Sequence, residues 1–345
     1  MLTQTTELMA QVLNGQPLTQ QQSQHLFGQV VQGEVDQIEL AGILTAMKLR
    51  GETVSEITGA ASALREHAVA FPRPEGDLLD IVGTGGDGAN TINISTTSIF
   101  VAAAAGARIA KHGNRSVSSK SGASDLLTQF GVNLAMSPEQ SAHCLEELGV
   151  TFLFAPHYHG GIRHAMPVRQ ALKTRTLFNV LGPLINPARP NQMLLGVYDA
   201  KLIRPIAETI AALGVERALV VHGSGLDEIA IHGETKAVEI KAGELTELTL
   251  SPATFGIDAY PLSAIEGGEP ETNHAIARDI LGGGGTKAQR AAVAVNAGAG
   301  LFLAGKADTL KQGFELALAT MDSGKPLELV QAFAKLSQQQ PQEDA

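Results

Sequence analysis

The apolar and polar residues of the first seventy positions are punctuated as helices, and no segment there alternates like a strand. Glycines that favour helix C-termini and small polar residues that favour N-caps mark the ends: Gly15 and Gly33, then Thr19, Asp36 and Thr53. Asp36 with Glu39, and Thr53 with Glu56, have the spacing of a capping box. We therefore expect a small helical domain at the N-terminus.

From Leu78 onward, short apolar runs alternate with helical segments that are rich in small residues. This alternation is typical of a mostly parallel sheet covered by helices, an α/β fold. The expected strands are Leu78–Val82, Arg108–Lys111, Val150–Phe154, Leu195–Tyr198 and Ala218–His222. Two further runs, Val238–Ile240 and Glu247–Leu250, flank Lys241-Ala242-Gly243 and predict a late hairpin.

A Pro-rich linker, 71–76, separates the two patterns. The expected division is a helical domain over 1–71, joined by part of 162–190, an α/β domain over 76–335, and a polar tail over 336–345. The tail is rich in glutamine, which favours fraying.

Composition narrows the function classes. The chain has 345 residues, of which 44% are hydrophobic and 17% charged, as in a globular protein. No run approaches the roughly 20 apolar residues of a membrane span, and no signal peptide is visible, so we expect a cytoplasmic protein without a membrane partner. The net charge of −10 opposes binding to nucleic acid. Cys144 is the only cysteine, which excludes an intrachain disulfide and a cysteine-based metal site.

The first candidate site is the loop Gly83-Thr84-Gly85-Gly86-Asp87-Gly88, which lies between an expected strand and a helix start. Backbone N–H groups converge on an anion in this arrangement, and the hydroxyls of Ser95 and Thr96 add donors. The loop lacks the Lys-Ser/Thr ending of a nucleotide P-loop and the glycine spacing of a dinucleotide fold. A glycine-rich turn before a capped helix is the structural alternative.

The second candidate is the loop Lys111–Gly122, which also follows an expected strand and precedes a helix. In a parallel sheet both loops emerge at the carboxyl edge, where ligands bind. Its cations, Lys111, Arg115 and Lys120, either hold phosphate or are solvated surface charges.

A third segment contains His157, His159 and His164, followed by Arg169. A zinc site is disfavoured because nearby carboxylates and paired spacing such as HExxH are absent. Arg169 either pairs with a ligand carboxylate or forms a salt bridge to an acidic neighbour.

Asp227 and Glu228 follow another expected strand. Hard oxygen ligands beside a phosphate site suit Mg2+, which takes one or two carboxylates together with substrate oxygens and waters. Two exposed loop acids are the alternative.

The run Gly282–Gly285 indicates a helix stop and restart, and Cys144 indicates a packing residue in a helix capped by Ser137 and ended by Gly149.

The ordered set GTGGDG…NIST, KHGNRSVSSKSG, RTLFNVLGPLINP and LDE resembles the anthranilate phosphoribosyltransferase family over nearly the whole chain. The resemblance implies transfer of the phosphoribosyl group from 5-phosphoribosyl 1-diphosphate to anthranilate, giving N-(5-phosphoribosyl)anthranilate and pyrophosphate, a step of tryptophan biosynthesis. It also implies a helical and an α/β domain about a hinge-like cleft, a homodimer through the helical domains and two Mg2+ ions per chain. Association with the anthranilate synthase amidotransferase component stays open.

Site residues are carried over by motif. The resemblance implies a binding set for phosphoribosyl diphosphate: Gly83, Gly86, Asp87, Thr91, Asn93, Ile94, Ser95, Thr96, Lys111, His112, Gly113, Asn114, Arg115, Ser116, Val117, Ser118, Ser119 and Ala123. It implies an anthranilate set: Gly83, Asn114, His159 and Arg169. The implied metal ligands are Ser95, Asp227 and Glu228. No residue is assigned as a general base.

Two positions depart from the commoner family pattern. His159-Gly160-Gly161 replaces His-Pro-Ala, and Ala123 stands where many relatives have a hydroxyl that touches phosphate. Two other functions stay open. A pyrimidine nucleoside phosphorylase resembles the family in fold but lacks the metal pair, and a non-catalytic paralogue would bind nucleic acid.

Overall fold

The computed structural model describes residues 4–115 and 120–339. Its N-terminal layer is helical: α1 Gln4–Leu13, α2 Gln20–Gln32, α3 Gln37–Arg50 and α4 Val54–Glu66. The predicted caps Thr19 and Thr53 are confirmed, and Thr53 forms the expected capping box with Glu56. The box between Asp36 and Glu39 is wrong, because the Asp36 carboxylate accepts from the N–H of Ile38 and leaves Glu39 without a capping role.

The seven strands form one sheet in the order β3-β2-β1-β4-β5-β6-β7. Their bounds are β1 Leu79–Gly83, β2 Ile109–Gly113, β3 Val150–Phe154, β4 Gln192–Gly196, β5 Arg217–Gly223, β6 Thr235–Lys241 and β7 Glu244–Leu250. The first five are parallel, and β6 and β7 form the predicted antiparallel hairpin. The mostly parallel sheet beside a helical domain is thus confirmed.

The fourth strand differs most from its prediction. It begins at Gln192, whose N–H donates to the Leu78 carbonyl, and it ends at Gly196. Tyr198, predicted inside the strand, donates its N–H to the Thr84 hydroxyl and so leaves the ladder. Side-chain hydrogen bonding in the loop thereby ends the strand early.

Helices cover both faces of the sheet, and four of those in the described residues have seven residues or fewer. Their bounds are α5 Ile94–Ala104, α6 Ala123–Gln129, α7 Pro138–Leu148, α8 Ala155–Tyr158, α9 Met166–Leu172, α10 Phe178–Leu181, α11 Ile203–Ala212, α12 Pro270–Leu281, α13 Lys287–Leu303, α14 Leu310–Asp322 and α15 Lys325–Ser337. None of the helices within residues 4–339 that the structure describes has the length and apolarity of a membrane span. Small residues allow close packing: a Cβ on Gly298 would lie 2.5 Å from the backbone nitrogen of Phe314, where α13 crosses α14.

Two large apolar cores flank the sheet. One lies between the sheet and α5, α13, α14 and α15. The other joins α1–α4 to residues 165–185 and to the opposite face of the sheet, with the rings of Phe27 and Phe178 packed edge to face at 5.9 Å. The segment 165–185 therefore packs with the N-terminal helices although it lies far from them in sequence. The carboxyl ends of β1, β2 and β5 meet at one edge, which places the candidate loops together.

Candidate functional site

The loop Gly83–Gly88 connects β1 to the start of α5. Gly85, Gly86 and Gly88 have φ angles of 69°, 81° and 77°, a left-handed conformation that glycine adopts without strain. Gly83 is required for another reason, since a Cβ there would lie 2.2 Å from the Asp227 Oδ2 atom. The glycines thus allow both the path of the loop and the approach of a carboxylate.

Asp227 lies against the inner side of this loop. The N–H of Gly85 donates to its Oδ2 atom at 2.6 Å, and its carboxyl group lies close to that of Asp87. Asp87 also accepts from the N–H of Ala89 at 3.1 Å. Burial, followed by the charges of Glu228 and Asp87, raises the pKa of Asp227 well above its usual range. Crowded carboxylates of this kind favour a bound cation or a proton.

Glu228 meets the first turn of α5. Its Oε1 atom accepts from the hydroxyl of Ser95 and, at 3.2 Å, from the N–H of the same residue. Burial raises the pKa of Glu228 to about 7, against the opposing effects of the Ser95 hydrogen bond and the Lys111 charge. Ser95, Asp227 and Glu228, the three predicted metal ligands, are therefore close together.

These residues fit Mg2+ rather than a metal held by protein alone. Among the described residues, no group of three His, Cys, Asp or Glu side chains converges in a way that could hold a metal ion. Two carboxylates and a hydroxyl beside a loop of amides are a partial ligand set, which substrate oxygens and water complete for Mg2+. Burial is the main cause of the raised pKa values of Asp227 and Glu228, and nearby carboxylate charge adds to it, so a bound cation would be favoured between them.

Lys111 is buried beneath the loop. Its Nζ atom donates to the Ile81 carbonyl at 2.6 Å, so it lies inside the sheet and does not extend from the loop as a free surface charge. Burial lowers its pKa, and the charges of Asp80, Glu228 and Asp227 oppose that shift. The charge of the buried ammonium group therefore partly balances the charges of the carboxylates.

His112 and His159 form a buried pair with ring centroids 5.2 Å apart. The His112 Nδ1 atom is 3.0 Å from the Gly182 carbonyl. Burial lowers the pKa of His112 to about 3 and that of His159 to about 4, so both rings are neutral at physiological pH. In residues 4–115 and 120–339, neither Nε2 atom has a hydrogen-bond partner. Buried polar atoms without partners are costly unless a ligand satisfies them.

The three histidines singled out for zinc do not form a cluster. His157 packs on Phe154 at 5.3 Å between ring centroids, whereas His164 lies under Gly33. His159 pairs with His112 instead.

The second loop is described only in part, since the predicted residues Ser116, Val117, Ser118 and Ser119 lie outside the described residues. Asn114 and Arg115 are exposed, and the Arg115 guanidinium is 6.0 Å from the ring centroid of Phe154. Gly113 ends β2, with Ala123 close by at the start of α6. Lys120 forms an exposed ion pair with Glu269 at 3.8 Å, which matches the surface-charge alternative.

Asn93 ties the two loops together. Its Nδ2 atom donates to the Ser121 carbonyl at 3.1 Å, and its Oδ1 atom accepts from Asn273 at 2.9 Å. It makes no side-chain cap to α5. Thr91 pairs with Glu266 in an isolated bridge. Ile94 and Thr96 are buried in α5, so the Thr96 hydroxyl is the less accessible of the two predicted donors.

Arg169 projects from α9 and is partly buried. Its guanidinium is 5.4 Å from the ring centroid of Phe178, and Nη1 is 3.7 Å from the Met166 sulfur. No carboxylate in the described part of the chain pairs with Arg169, which removes the salt-bridge alternative there. Burial lowers its pKa, as expected for a cation that lacks a partner.

Sequence reasoning missed several residues around this site. Arg175 donates to the Gly86 carbonyl and stacks on Tyr198, and Asn273 holds Asn93. Asp80 is buried in β1 and accepts from Asn186 at 2.8 Å. Only the position of Arg175 and Asn186 within the motif RTLFNVLGPLINP signalled them.

Comparison with known proteins identifies the same two regions. The glycosyl transferase family, helical bundle domain, matches residues 6–68, and the glycosyl transferase family, a/b domain, matches residues 75–327. The anthranilate phosphoribosyltransferase of Photobacterium profundum is 64% identical over 92% of this chain and 94% of its own length. That of Vibrio cholerae is 62% identical over 93% of this chain and 96% of its own.

Solved structures agree. Anthranilate phosphoribosyltransferase from Thermus thermophilus has a TM-score of 0.92 and 42% identity, covering 96% of this chain and 99% of that one. The Saccharomyces cerevisiae enzyme in complex with PRPP and Mg has a TM-score of 0.88 and 26% identity, covering 96% and 97%. Its complex with 4-fluoroanthranilate has a TM-score of 0.86 and 26% identity, covering 96% and 98%. The chain belongs to the anthranilate phosphoribosyltransferase family.

Proposed function

We propose that the chain transfers the 5-phosphoribosyl group from 5-phosphoribosyl 1-diphosphate to the amine of anthranilate, releasing pyrophosphate. The observation that carries this proposal is the convergence of the Gly83–Gly88 loop with Asp227 and Glu228 at the carboxyl edge of the sheet. Backbone N–H groups of a glycine loop can bind a diphosphate, and two adjacent carboxylates can bind the divalent metal that accompanies it. Relatives 58% to 64% identical carry the name of this activity.

The diphosphate sugar would lie along the loop and the start of α5. Gly83, Gly86 and Asp87 would face the diphosphate, and Thr91, Asn93, Ile94, Ser95 and Thr96 would line the path toward the ribose. Residues 111–115 and Ala123 would line the other side, and the resemblance adds Ser116, Val117, Ser118 and Ser119, which lie outside the described residues. The Asn93 bridge to Ser121 supports this part of the proposal, because it joins the two loops into one wall.

Ser95, Asp227 and Glu228 would hold Mg2+, with two ions per chain. When bound, Mg2+ neutralises the negative charge that develops on the departing diphosphate. The two carboxylates would hold the ion, and the buried Lys111 would balance part of their charge from within the sheet.

Anthranilate would meet Gly83, Asn114, His159 and Arg169. A partly buried arginine without a carboxylate partner among the described residues is suited to bidentate recognition of the anthranilate carboxylate. The neutral His159 has a free Nε2 atom, which can exchange a hydrogen bond with a polar substituent without adding charge. The Saccharomyces cerevisiae complex with 4-fluoroanthranilate is consistent with such a site in the family.

Catalysis would then rest on positioning and electrostatics. The loop amides hold the diphosphate as the C1–oxygen bond breaks, and Arg169 orients the amine toward the opposite face of the oxocarbenium-like carbon. The aryl ammonium formed on attack is acidic, so no side chain is assigned as a general base.

The same proposal includes a cytoplasmic homodimer that contacts through its helical domains, and association with an anthranilate synthase amidotransferase component. Two exposed apolar side chains on α3, Ile38 at 84% and Leu49 at 81%, support a contact surface on the helical layer. The expected helical domain, 1–71 with part of 162–190, supplies that layer.

The test is to mix the protein with Mg2+, 5-phosphoribosyl 1-diphosphate and anthranilate, and to follow the loss of anthranilate fluorescence together with pyrophosphate release. We expect equal amounts of anthranilate consumed and pyrophosphate formed, and no reaction with EDTA. Phosphorolysis of uridine or thymidine by inorganic phosphate, without anthranilate turnover, would overturn the proposal. So would salt-dependent nucleic-acid binding without turnover.

A further inference from the structure

Arg175 lies in the segment that connects α9 to α10, and it reaches the glycine loop at Gly86. Its Nη2 atom donates to the carbonyl oxygen of Gly86. Gly86 has a φ of 81°, a left-handed conformation that glycine adopts without strain. An arginine is therefore bonded to the loop at one of its left-handed glycines.

The hydrogen bond sets the orientation of a loop amide. The carbonyl of Gly86 and the N–H of Asp87 belong to one planar trans peptide, in which the two bonds point in opposite directions. While Arg175 holds the carbonyl on its own side, the Asp87 N–H faces away from Arg175. Asp227 bonds to the neighbouring Gly85 N–H, so the loop is held at two nearby peptides by two different groups.

Tyr198 holds the arginine in place. The guanidinium carbon of Arg175 is 4.0 Å from the Tyr198 ring centroid, a close cation–π contact. The backbone N–H of Tyr198 donates to the Thr84 hydroxyl at 3.1 Å, and the Thr84 N–H donates to the Gly196 carbonyl at 2.9 Å. The aromatic support is thus fixed to the loop and to the end of β4.

The contacts of this arginine in the described residues do not include an ion pair with a carboxylate, although its side chain is exposed. It follows Arg169 by six positions, so one short segment carries both the arginine proposed for anthranilate and the arginine bonded to the diphosphate loop.

We propose that Arg175, supported by the ring of Tyr198, is a positioning residue that keeps the Gly83–Gly88 loop in its diphosphate-binding conformation. This inference rests on the proposed function. Arg175 acts through the loop peptide, so its loss should weaken binding of the diphosphate sugar and leave recognition of anthranilate nearly intact.

The experiment compares Arg175→Ala, Tyr198→Leu and Tyr198→Phe with wild type. Loss of a charge-assisted hydrogen bond should raise the KM for 5-phosphoribosyl 1-diphosphate by about tenfold or more in the first two variants. The KM for anthranilate should change by less than about twofold, and Tyr198→Phe, which keeps the ring face, should behave like wild type. Arg204→Ala is the matched control, because Arg204 is an exposed arginine on α11 that pairs with Glu208. Equal increases in both KM values, or unchanged values in Arg175→Ala, would overturn the inference.

Calorimetric titration of inorganic pyrophosphate with Mg2+ separates this inference from the proposed function. We expect binding to wild type and Arg204→Ala, and binding at least about tenfold weaker to Arg175→Ala. If wild type binds pyrophosphate but does not consume anthranilate, the proposed function fails while the role of Arg175 is still measured. Equal binding by Arg175→Ala and wild type would contradict the role of Arg175, and unchanged thermal unfolding would show that the variant is folded.

Discussion

The loops Gly83–Gly88 and Gly282–Gly285 have similar glycine content and differ in what their backbone groups contact. The Gly282–Gly285 loop separates α12 from α13, and its backbone groups form hydrogen bonds to residues that are close to it in sequence. The N–H of Gly285 donates to the Asp279 carboxylate at 2.8 Å, and Arg290 donates to the Gly283 carbonyl at 2.7 Å. Its polar groups are satisfied locally, as the predicted helix stop and restart requires.

The Gly83–Gly88 loop leaves β1 at the carboxyl edge of a parallel sheet. The side chains that contact this region are distant from it in sequence. Asp227 is 142 positions from Gly85, and Glu228 is 133 positions from Ser95. Burial, together with neighbouring carboxylate charge, raises their pKa values, and this combination favours a bound cation. The difference teaches that glycine content does not identify an anion site. The position of the loop at the carboxyl edge of the sheet and the buried carboxylates beside it are the features that indicate a ligand site.

The largest expected effect is that of Asp227→Ala combined with Glu228→Ala. Removal of both carboxylates should lower turnover by about 10³-fold, because the protein would no longer hold the Mg2+ that would offset the negative charge developing on the diphosphate. The check is a Mg2+ titration of initial rate. A rate and Mg2+ dependence equal to those of wild type would remove the metal assignment.

The next effect comes from equivalent substitutions in the two loops. A Cβ on Gly83 would lie 2.2 Å from Asp227 Oδ2, and a Cβ on Gly284 would lie 2.1 Å from Asp279 Oδ1. Gly83→Ala should lower kcat/KM for the diphosphate sugar by about 100-fold, because it displaces a carboxylate of the metal site. Gly284→Ala should lower the free energy of unfolding by about 1 to 3 kcal/mol and leave KM unchanged. Equal kinetic losses in the two variants would contradict the distinction between the loops.

Arg169→Ala should have a smaller effect, confined to one substrate. Loss of a charged hydrogen-bonding partner should raise the KM for anthranilate by about 10-fold to 100-fold. The KM for 5-phosphoribosyl 1-diphosphate should stay within about twofold. Steady-state kinetics with each substrate varied in turn provides the measurement, and equal increases in both values would indicate a structural role.

The last prediction concerns stability, and we expect it to have the smallest effect on turnover. Asp80 is buried in β1, the strand that leads to the Gly83–Gly88 loop. Burial raises its pKa from 3.8 to about 6, against the opposing effects of Lys111 and Asn186. Because the pKa of Asp80 is higher in the folded state than in the unfolded state, its protonated form stabilises the fold at pH values below 3.8. That contribution is lost as the pH rises toward 6. Asp80→Asn removes this loss, so its stability relative to wild type should improve between about pH 4 and 7 by up to about 3 kcal/mol. Chemical unfolding at several pH values measures this, and a pH-independent difference would contradict the assignment.

Local patterns in the sequence predicted the sheet, the hairpin and the capped helices, because each depends on neighbouring residues. Thr53 with Glu56 and the turn at Ala242-Gly243 are such cases. The glycine loop and the Asp227-Glu228 pair were identifiable because each follows a strand. The family resemblance is confirmed by the comparisons.

The rest depended on tertiary contacts that no local pattern encodes. Arg175 reaches Gly86 across 89 positions, and Asn186 reaches Asp80 across 106. The direction of Lys111, into the sheet and onto the Ile81 carbonyl, follows from packing rather than from its place in the motif. The individual ligand roles of the site residues stay predictions.

Diffraction from crystals grown with Mn2+ in place of Mg2+ and with 5-phosphoribosyl 1-diphosphate tests the central claim most directly. Mn2+ has similar ligand preferences and gives an anomalous signal. We predict two anomalous peaks per chain beside Ser95, Asp227 and Glu228, with diphosphate density against Gly83–Gly88 and none at Gly282–Gly285. Diphosphate bound away from the first loop, or metal peaks distant from Asp227 and Glu228, would contradict the account.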